Sequence, residues 1–405
     1  MTNPGYPEHA DAVRLYEPEV LDDPAAFFET LRRKHGPVVP VLLDADLPAW
    51  LVLGYRELHH VTSQPRLFAR DPRRWNQHEL VPHDWPSRPH VVHQPSVVFT
   101  EGEERRRRAG AIGDALDEID RIELTQLCEK VSDLAIDAFS GDGAADLVPQ
   151  FAHRIPAQVI ARLFGLPEPD VGTLLRAIFQ AMNDPANRDE AELRVGEVMG
   201  RLVAGKRIRP GHDLATRLVK HEAGLTDPEA VYDMLSLLIA AQDNCAGWIG
   251  NTMRLMLVDD HFQMDLQGGR SSVAEALNQV LWMDPPAQNL PSRFAAQDCE
   301  LAGHRIRRGD MIVMSLVAAN ADPQVQRGHT TANRAHMAFG HGEYGCPFPA
   351  PELAEIISKT AVEVLLDRLP DIRLAVPPEE LRWRRNIWNR MLEALPVAFT
   401  PALGR

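Results

Sequence analysis

From about residue 101 onward, apolar positions recur at three- and four-residue spacing in the segments 101–118, 122–140, 147–164, 168–183, 189–205, 227–258 and 271–283. That period lines one face of an α-helix, and Pro or Gly between several segments supplies the stops. The first hundred residues read differently: short apolar runs such as VVPVLL and AWLVLG stand among many prolines, the pattern of a small sheet beside short helices. Beyond Pro285–Pro286, the stretch SRFAAQDCELAGHRIRRGDMIVMSLVAAN alternates in places and carries turn signals, so short strands are expected again before a last helix at about 351–369. The expected fold class is mainly α with small β-sheets. With no linker and no repeat, residues 1–405 read as a single domain.

Composition narrows the function classes. The 405 residues, 44% of them hydrophobic, are enough for a large core. A formal net charge of -14 repels phosphate, which argues against nucleic acid or an anionic membrane surface and leaves small molecules as the expected ligands. The N-terminal run MTNPGYPEHADAVRLYEPEV has no basic start followed by an apolar stretch, and the longest apolar runs fall short of the roughly 20 residues that span a bilayer. A cytoplasmic protein without a membrane anchor is expected. Cys128, Cys245, Cys299 and Cys346 are widely spaced with no CxxC pair, which fits neither a disulfide framework nor a zinc site.

One run carries metal chemistry. Phe339-Gly340-His341-Gly342-Glu343-Tyr344-Gly345-Cys346 is a glycine-rich loop ending in a cysteine, followed by Pro347 and, from Pro351, a helical pattern. A thiolate that binds iron is held deprotonated by the metal, by nearby amide N–H groups and by the start of a helix, and glycines let the backbone come close. The competing reading is a buried cysteine after a flexible loop.

The loop resembles the haem loop of the cytochrome P450 superfamily, FGxGxHxCxG, at Phe339, Gly340, Gly342 and Cys346. Further similarity follows in family order. Residues 293–310 (RFAAQDCELAGHRIRRGD) resemble the family's Arg-bearing strand segment, Ala318–Pro323 (AANADP) its AANRDP run, and WRRNIWNRMLEALPVAF its C-terminal hairpin. IGN at Ile249–Asn251 and EGEERRRR at 101–108 extend the similarity to about three-quarters of the chain. The resemblance implies a single-domain cytochrome P450-like fold and haem b (iron protoporphyrin IX) as cofactor. It makes Cys346 the iron ligand, Phe339 the ring near its sulfur, and Gly340 part of the cofactor loop. Arg293 and His336 occupy positions that pair with haem propionates, with a surface salt bridge as the alternative for each. Ala240, Gln242, the stretch Ala287–Pro291 with Asn289 and Leu290, and the region around Ile387 are implied as substrate pocket.

The sequence also departs from the family pattern. The ExxR positions fall on Gln279 and Trp282, and a third family arginine falls near Thr331, so a buried charge cluster is lost as a set. Concerted replacement by neutral groups is compatible with folding, whereas loss of one partner costs about 3–5 kcal/mol. An altered ExxR with Tyr in the haem loop resembles an actinobacterial subgroup. The family's A-G-x-(D/E)-T becomes Ala240-Ala241-Gln242-Asp243-Asn244. Asp243 and Asn244 then hold the catalytic positions, but an amide cannot relay a proton as a hydroxyl does. The HxxxR positions fall on Arg105 and Ala109. Of the four arginines 105–108, one or two are expected to face the haem edge and the rest solvent, either as a docking patch for an acidic electron-transfer protein or as a solvated charge run. Tyr344 replaces the loop histidine beside the cofactor, Phe348 the glycine after the cysteine, and Glu355 an arginine of the last helix.

The resemblance implies a monooxygenase that uses dioxygen and electrons from NAD(P)H, through a ferredoxin and its ferredoxin reductase, on an apolar or natural-product-like small molecule. The alternative is a haem-binding protein of low oxygenase activity with an auxiliary or regulatory role, or a peroxide-driven haem enzyme.

Overall fold

The computed structural model describes residues 9, 11–17, 20, 23–184, 186–259, 262, 273–326 and 333–402, the side chains of 183, 291 and 292 excepted. Helices α1 (Gly102–Asp117), α2 (Arg121–Asp137), α3 (Glu168–Asn183), α4 (Asp227–Val258), α5 (Val273–Met283) and α6 (Ala350–Arg368) form most of the helical body. Their limits lie within a few residues of the periodic segments. The segment expected as one helix over 147–164 is instead a short π-helical turn, Val148–Ala152, leading into Arg154–Leu163.

α4 organises the body. Thr226 and Glu229 form a reciprocal capping box at its N-terminus, with Pro228 in its first turn. Its early part is amphipathic, but Cys245 to Met253 is buried without interruption, where α6, α5 and the 154–163 helix pack against α4. Gly247 is required by close packing: a Cβ there would lie 2.9 Å from Pro286 and 3.0 Å from Met391. Asn251, from the IGN run, donates to the carbonyls of Asp284 and Arg390 at 2.9 Å each, which ties α4 to the Pro-Pro turn and the C-terminal hairpin.

The first hundred residues supply a hairpin, Val38–Leu43 against Leu47–Val52, in the register Val38↔Val52 to Leu43↔Leu47. Leu47–Val52 pairs parallel with Met311–Ser315, which pairs antiparallel with Asn289–Ala295, and Phe68–Ala69 closes that edge of a six-stranded sheet. The register slips between Leu290 and Arg293, an irregularity of the kind that re-aims side chains near sites. No helix among the described residues is long and apolar enough to cross a membrane.

Candidate functional site

The loop that carries Cys346 is shaped by its glycines. Gly340 and Gly342 both take φ near +71°, and a side chain on Gly342 would overlap the carbonyl oxygen of Thr62. The Cys346 N–H donates to the Phe339 carbonyl at 2.9 Å, closing the turn, and α6 begins at Ala350 just beyond it. Cys346 is exposed as a residue, yet burial of its thiol pushes it up to about 11, with the charge of Arg105 acting in the opposite direction. A thiol of this kind ionises when a metal takes the place of its proton.

Beside it lies a group of cations. Arg105 is 7% exposed and Arg293 2%, and Arg70 is half-buried. Burial, reinforced by repulsion from another of the three guanidiniums, lowers Arg70 to about 10 and Arg293 well below its ordinary value. Burial also lowers Arg105. Arg70 Nε donates to the Val98 carbonyl at 2.8 Å and Arg105 Nη1 to the Val97 carbonyl at 3.1 Å. Nε and Nη1 of Arg293 and Nε of Arg105 have no hydrogen-bond partner. The ring of Tyr344 lies 4.5 Å from the Arg293 guanidinium and 6.0 Å from that of Arg105. Buried guanidinium N–H groups without acceptors are costly, and an anionic group with several oxygens is the complement they lack. The residues present therefore fit a haem: Arg105, Arg293 and Arg70 would hold its propionates and Cys346 would supply the thiolate for its iron. Arg70 carries no local signal in the sequence; it is placed by strand register, Ala69 opposite Phe294 bringing Arg70 level with Arg293.

His336 lies elsewhere. It stacks edge-on against Trp282 at 5.9 Å and tilted against Phe339 at 6.0 Å, and Phe339 in turn meets Trp248 at 5.9 Å. Its Nδ1 has no partner, its charged neighbours are Arg334 and Glu355, and burial depresses it to about 4, so it is a neutral ring. It lines a cavity of about 420 Å³ with Trp248, Phe339 and Phe348 instead of joining the arginine group.

Where the ExxR cluster would stand, neutral hydrogen bonds are found. Trp282 Nε1 and Asn278 Nδ2 both donate to the Asn333 carbonyl, at 2.9 and 3.0 Å. Asn320 donates to the Leu281 carbonyl at 2.8 Å and accepts from the Met337 N–H at 2.9 Å. Gln279 turns outward to the sulfur of Met283. Thr331 lies outside the described residues. Glu355 pairs with Arg334 through both oxygens, at 2.6 and 3.0 Å, on the surface.

The run of four arginines does not form a patch. Arg105 faces the loop, and Arg108 is 1% exposed and held by both oxygens of Asp233. Arg107 pairs with Glu229, which leaves Arg106 as the exposed member, 3.9 Å from Glu343. The expectation that two or more would face solvent is corrected: Glu229 and Asp233 on α4 draw two of them inward.

On α4, Asn244 Nδ2 donates back to the Ala240 carbonyl at 2.8 Å, and the helix continues unbroken through both residues. Burial lifts Asp243 from 3.8 to about 6, against the opposing charge of Arg384. Gln242, Asp243 and Ile387 line one cavity of about 680 Å³, together with Leu175, Ile178 and Arg384. Ala240 and Asn244 are exposed but are not among the residues lining that cavity. Asn289 is buried and supports the wall by donating to the Ile387 carbonyl, while Leu290 points toward Gly340 of the cysteine loop. His153 and Arg384 are cavity residues that sequence reasoning passed over: His153 belongs to no motif, and Arg384 lies in the hairpin run without a role of its own there.

No family model matches the chain. It is 31% identical over 387 residues to cytochrome P450 105C1 of a Streptomyces species, covering 93% of this chain and 95% of that protein. It is 29% identical over 404 residues to the cytochrome P450 monooxygenase PikC of Streptomyces venezuelae, covering 93% and 91%. Its fold is similar to the solved structure of CYP154C4 from Streptomyces sp. ATCC 11861, with a TM-score of 0.86 and 24% identity over 97% of this chain and 99% of that one.

Proposed function

Because this chain belongs to the cytochrome P450 superfamily, whose cofactor is haem b, we propose that it is a haem-thiolate monooxygenase acting on a small molecule held in the cavity beside Asp243. The observation that carries the reading is the coincidence of the Cys346 loop with buried arginines whose N–H groups lack acceptors. Bound there, a thiolate-ligated haem supplies activation of dioxygen. The chain's own residues do the rest. Cys346 would offer the sulfur; Arg105, Arg293 and Arg70 would orient an anionic cofactor edge; Asp243, lifted by burial to about 6, would hold or yield a proton on α4. Electrons would come from NAD(P)H through a ferredoxin and its reductase. The relative named a monooxygenase supports this reading.

A second reading, weak oxygenase activity in an auxiliary protein or a peroxide-driven reaction, is favoured by one observation. The Asn244 amide spends a donor on the Ala240 carbonyl and has no hydroxyl to pass a proton on. The reduced, carbon monoxide-treated protein should show the thiolate Soret band and lose it in Cys346→Ala. Retention of the band in that variant overturns the site. With a surrogate ferredoxin system, product formed in step with NADPH use supports the first reading. Peroxide without product, corrected by Asn244→Thr, supports the second.

A further inference from the structure

We propose that Arg384 anchors a carboxylate of the ligand, so that the cavity beside α4 takes an amphiphilic monocarboxylic acid; this deepens, and rests on, the reading of that cavity as the substrate site. The cavity, about 680 Å³, is of a size for a drug-like molecule. It is divided in character: Leu175, Ile178 and Met182 of α3 with Met391 present an apolar wall, and Gln242, His153 and Arg384 present polar groups.

Arg384 is half-buried and makes no ion pair among the described residues. The arginines around Trp383 are satisfied differently. Arg390 is held by Asp284 at 3.3 Å and stacks on Trp383 at 3.8 Å, and Arg254 reaches the same carboxylate at 3.9 Å and the same ring at 4.9 Å. The side-chain contact of Arg384 is a donated bond to Nε2 of His153 at 3.3 Å. Burial first, and the charge of Arg384 second, depress His153 to about 4, so the ring is neutral and cancels none of that charge. An imidazole accepting at Nε2 carries its proton on Nδ1, so the pair forms a donor-rich end to the cavity.

Neither carboxylate that lines the cavity forms an ion pair with Arg384. Asp44 accepts from Trp85 Nε1 at 3.2 Å and from Ser87 Oγ at 3.3 Å. Asp243 is lifted, not lowered, from its ordinary value, the opposite of what a tight guanidinium pair produces. Arg385 is exposed and has interactions of its own. A planar guanidinium at the margin of a desolvated apolar space binds a carboxylate through two parallel N–H groups and discriminates against a neutral analogue that leaves it unpaired.

The test uses haem-loaded protein and two matched pairs, decanoic acid with 1-decanol and 4-phenylbutanoic acid with 4-phenyl-1-butanol, titrated by calorimetry and by the Soret shift. At least one acid should bind about ten-fold or more tighter than its alcohol, the effect expected of one charge-assisted contact. Arg384→Gln should abolish that preference while changing alcohol affinity by less than about two-fold, and Arg384→Lys should keep part of it. Acids and alcohols bound alike, acids not bound at all, or a preference that survives in Arg384→Gln would each overturn the anchor. The carbon monoxide band of the same preparations reports the haem-thiolate site separately. A normal band with no acid preference sinks the anchor alone, and an absent band sinks the reading beneath it.

Discussion

Asp243 and Arg293 show burial opposing charge on two single side chains, with opposite consequences. Asp243 binds its proton more tightly folded, at about 6, than unfolded, at 3.8. Its contribution to stability is therefore fully present below the unfolded value and is lost as pH rises through about 6. Asp243→Asn should match wild type in urea unfolding near about pH 4 and exceed it by roughly 1–3 kcal/mol near about pH 8. A pH-independent difference would show that the carboxyl is not desolvated. Arg293 is a buried cation that lacks acceptors at Nε and Nη1. In the haem-free protein Arg293→Met should raise stability by about 1–3 kcal/mol, because it removes an unpaired buried charge, and in the loaded protein it should speed haem loss to apomyoglobin. If the variant lowers haem-free stability instead, the guanidinium is not the anion site inferred here.

At the scale of elements, α1 and α4 are joined by a bond no periodicity reveals: Arg108 Nε lies 2.9 Å from Asp233, which also accepts the Val97 N–H at 2.6 Å. Asp233→Ala leaves the buried Arg108 with only Glu104 and the Pro95 carbonyl and should cost about 3–5 kcal/mol, whereas Arg108→Met with Asp233→Leu should cost far less, as unfolding midpoints would show. A similar argument governs α5. Trp282 is buried and donates to the Asn333 carbonyl, so Gln279→Glu with Trp282→Arg would place a cation among neutral partners while Gln279 faces outward. That double variant should lower the haem-loaded melting temperature by several degrees; a rise would show that concerted neutralisation is the wrong account. The helices themselves were legible because their signals are local: apolar spacing, with proline and glycine stops between segments. Which helix faces supply each other's partners was not legible, since Arg108 and Asp233 are far apart in sequence and each looks like a surface charge.

The whole molecule assembles its site from distant segments, and this decides what the sequence disclosed. Cys346, Phe339 and Gly340 share one loop and one motif and could be read directly. Arg70, His153 and Arg384 come from a short edge strand, a helix start and the terminal hairpin, and only the folded chain brings them to Arg293 or to the cavity. The same assembly alters the expected electrostatics of partner docking. The run of four arginines suggested a basic patch that would draw in an acidic ferredoxin, but Arg105, Arg107 and Arg108 are turned to the loop, Glu229 and Asp233, and Arg106 alone stays exposed. Against a net charge of -14 a single exposed guanidinium cannot reverse the long-range field. Attraction between oppositely charged surfaces falls as salt shortens the screening length to about 10 Å at 0.1 M, whereas repulsion between two acidic proteins is relieved by it. Stopped-flow reduction by an acidic ferredoxin under carbon monoxide should therefore hold steady or accelerate between about 0.05 and 0.2 M salt. Arg106→Ala should slow it by no more than about three-fold. A steep fall with salt would mean that other surface cations, outside this run, gather into the patch that these four do not form.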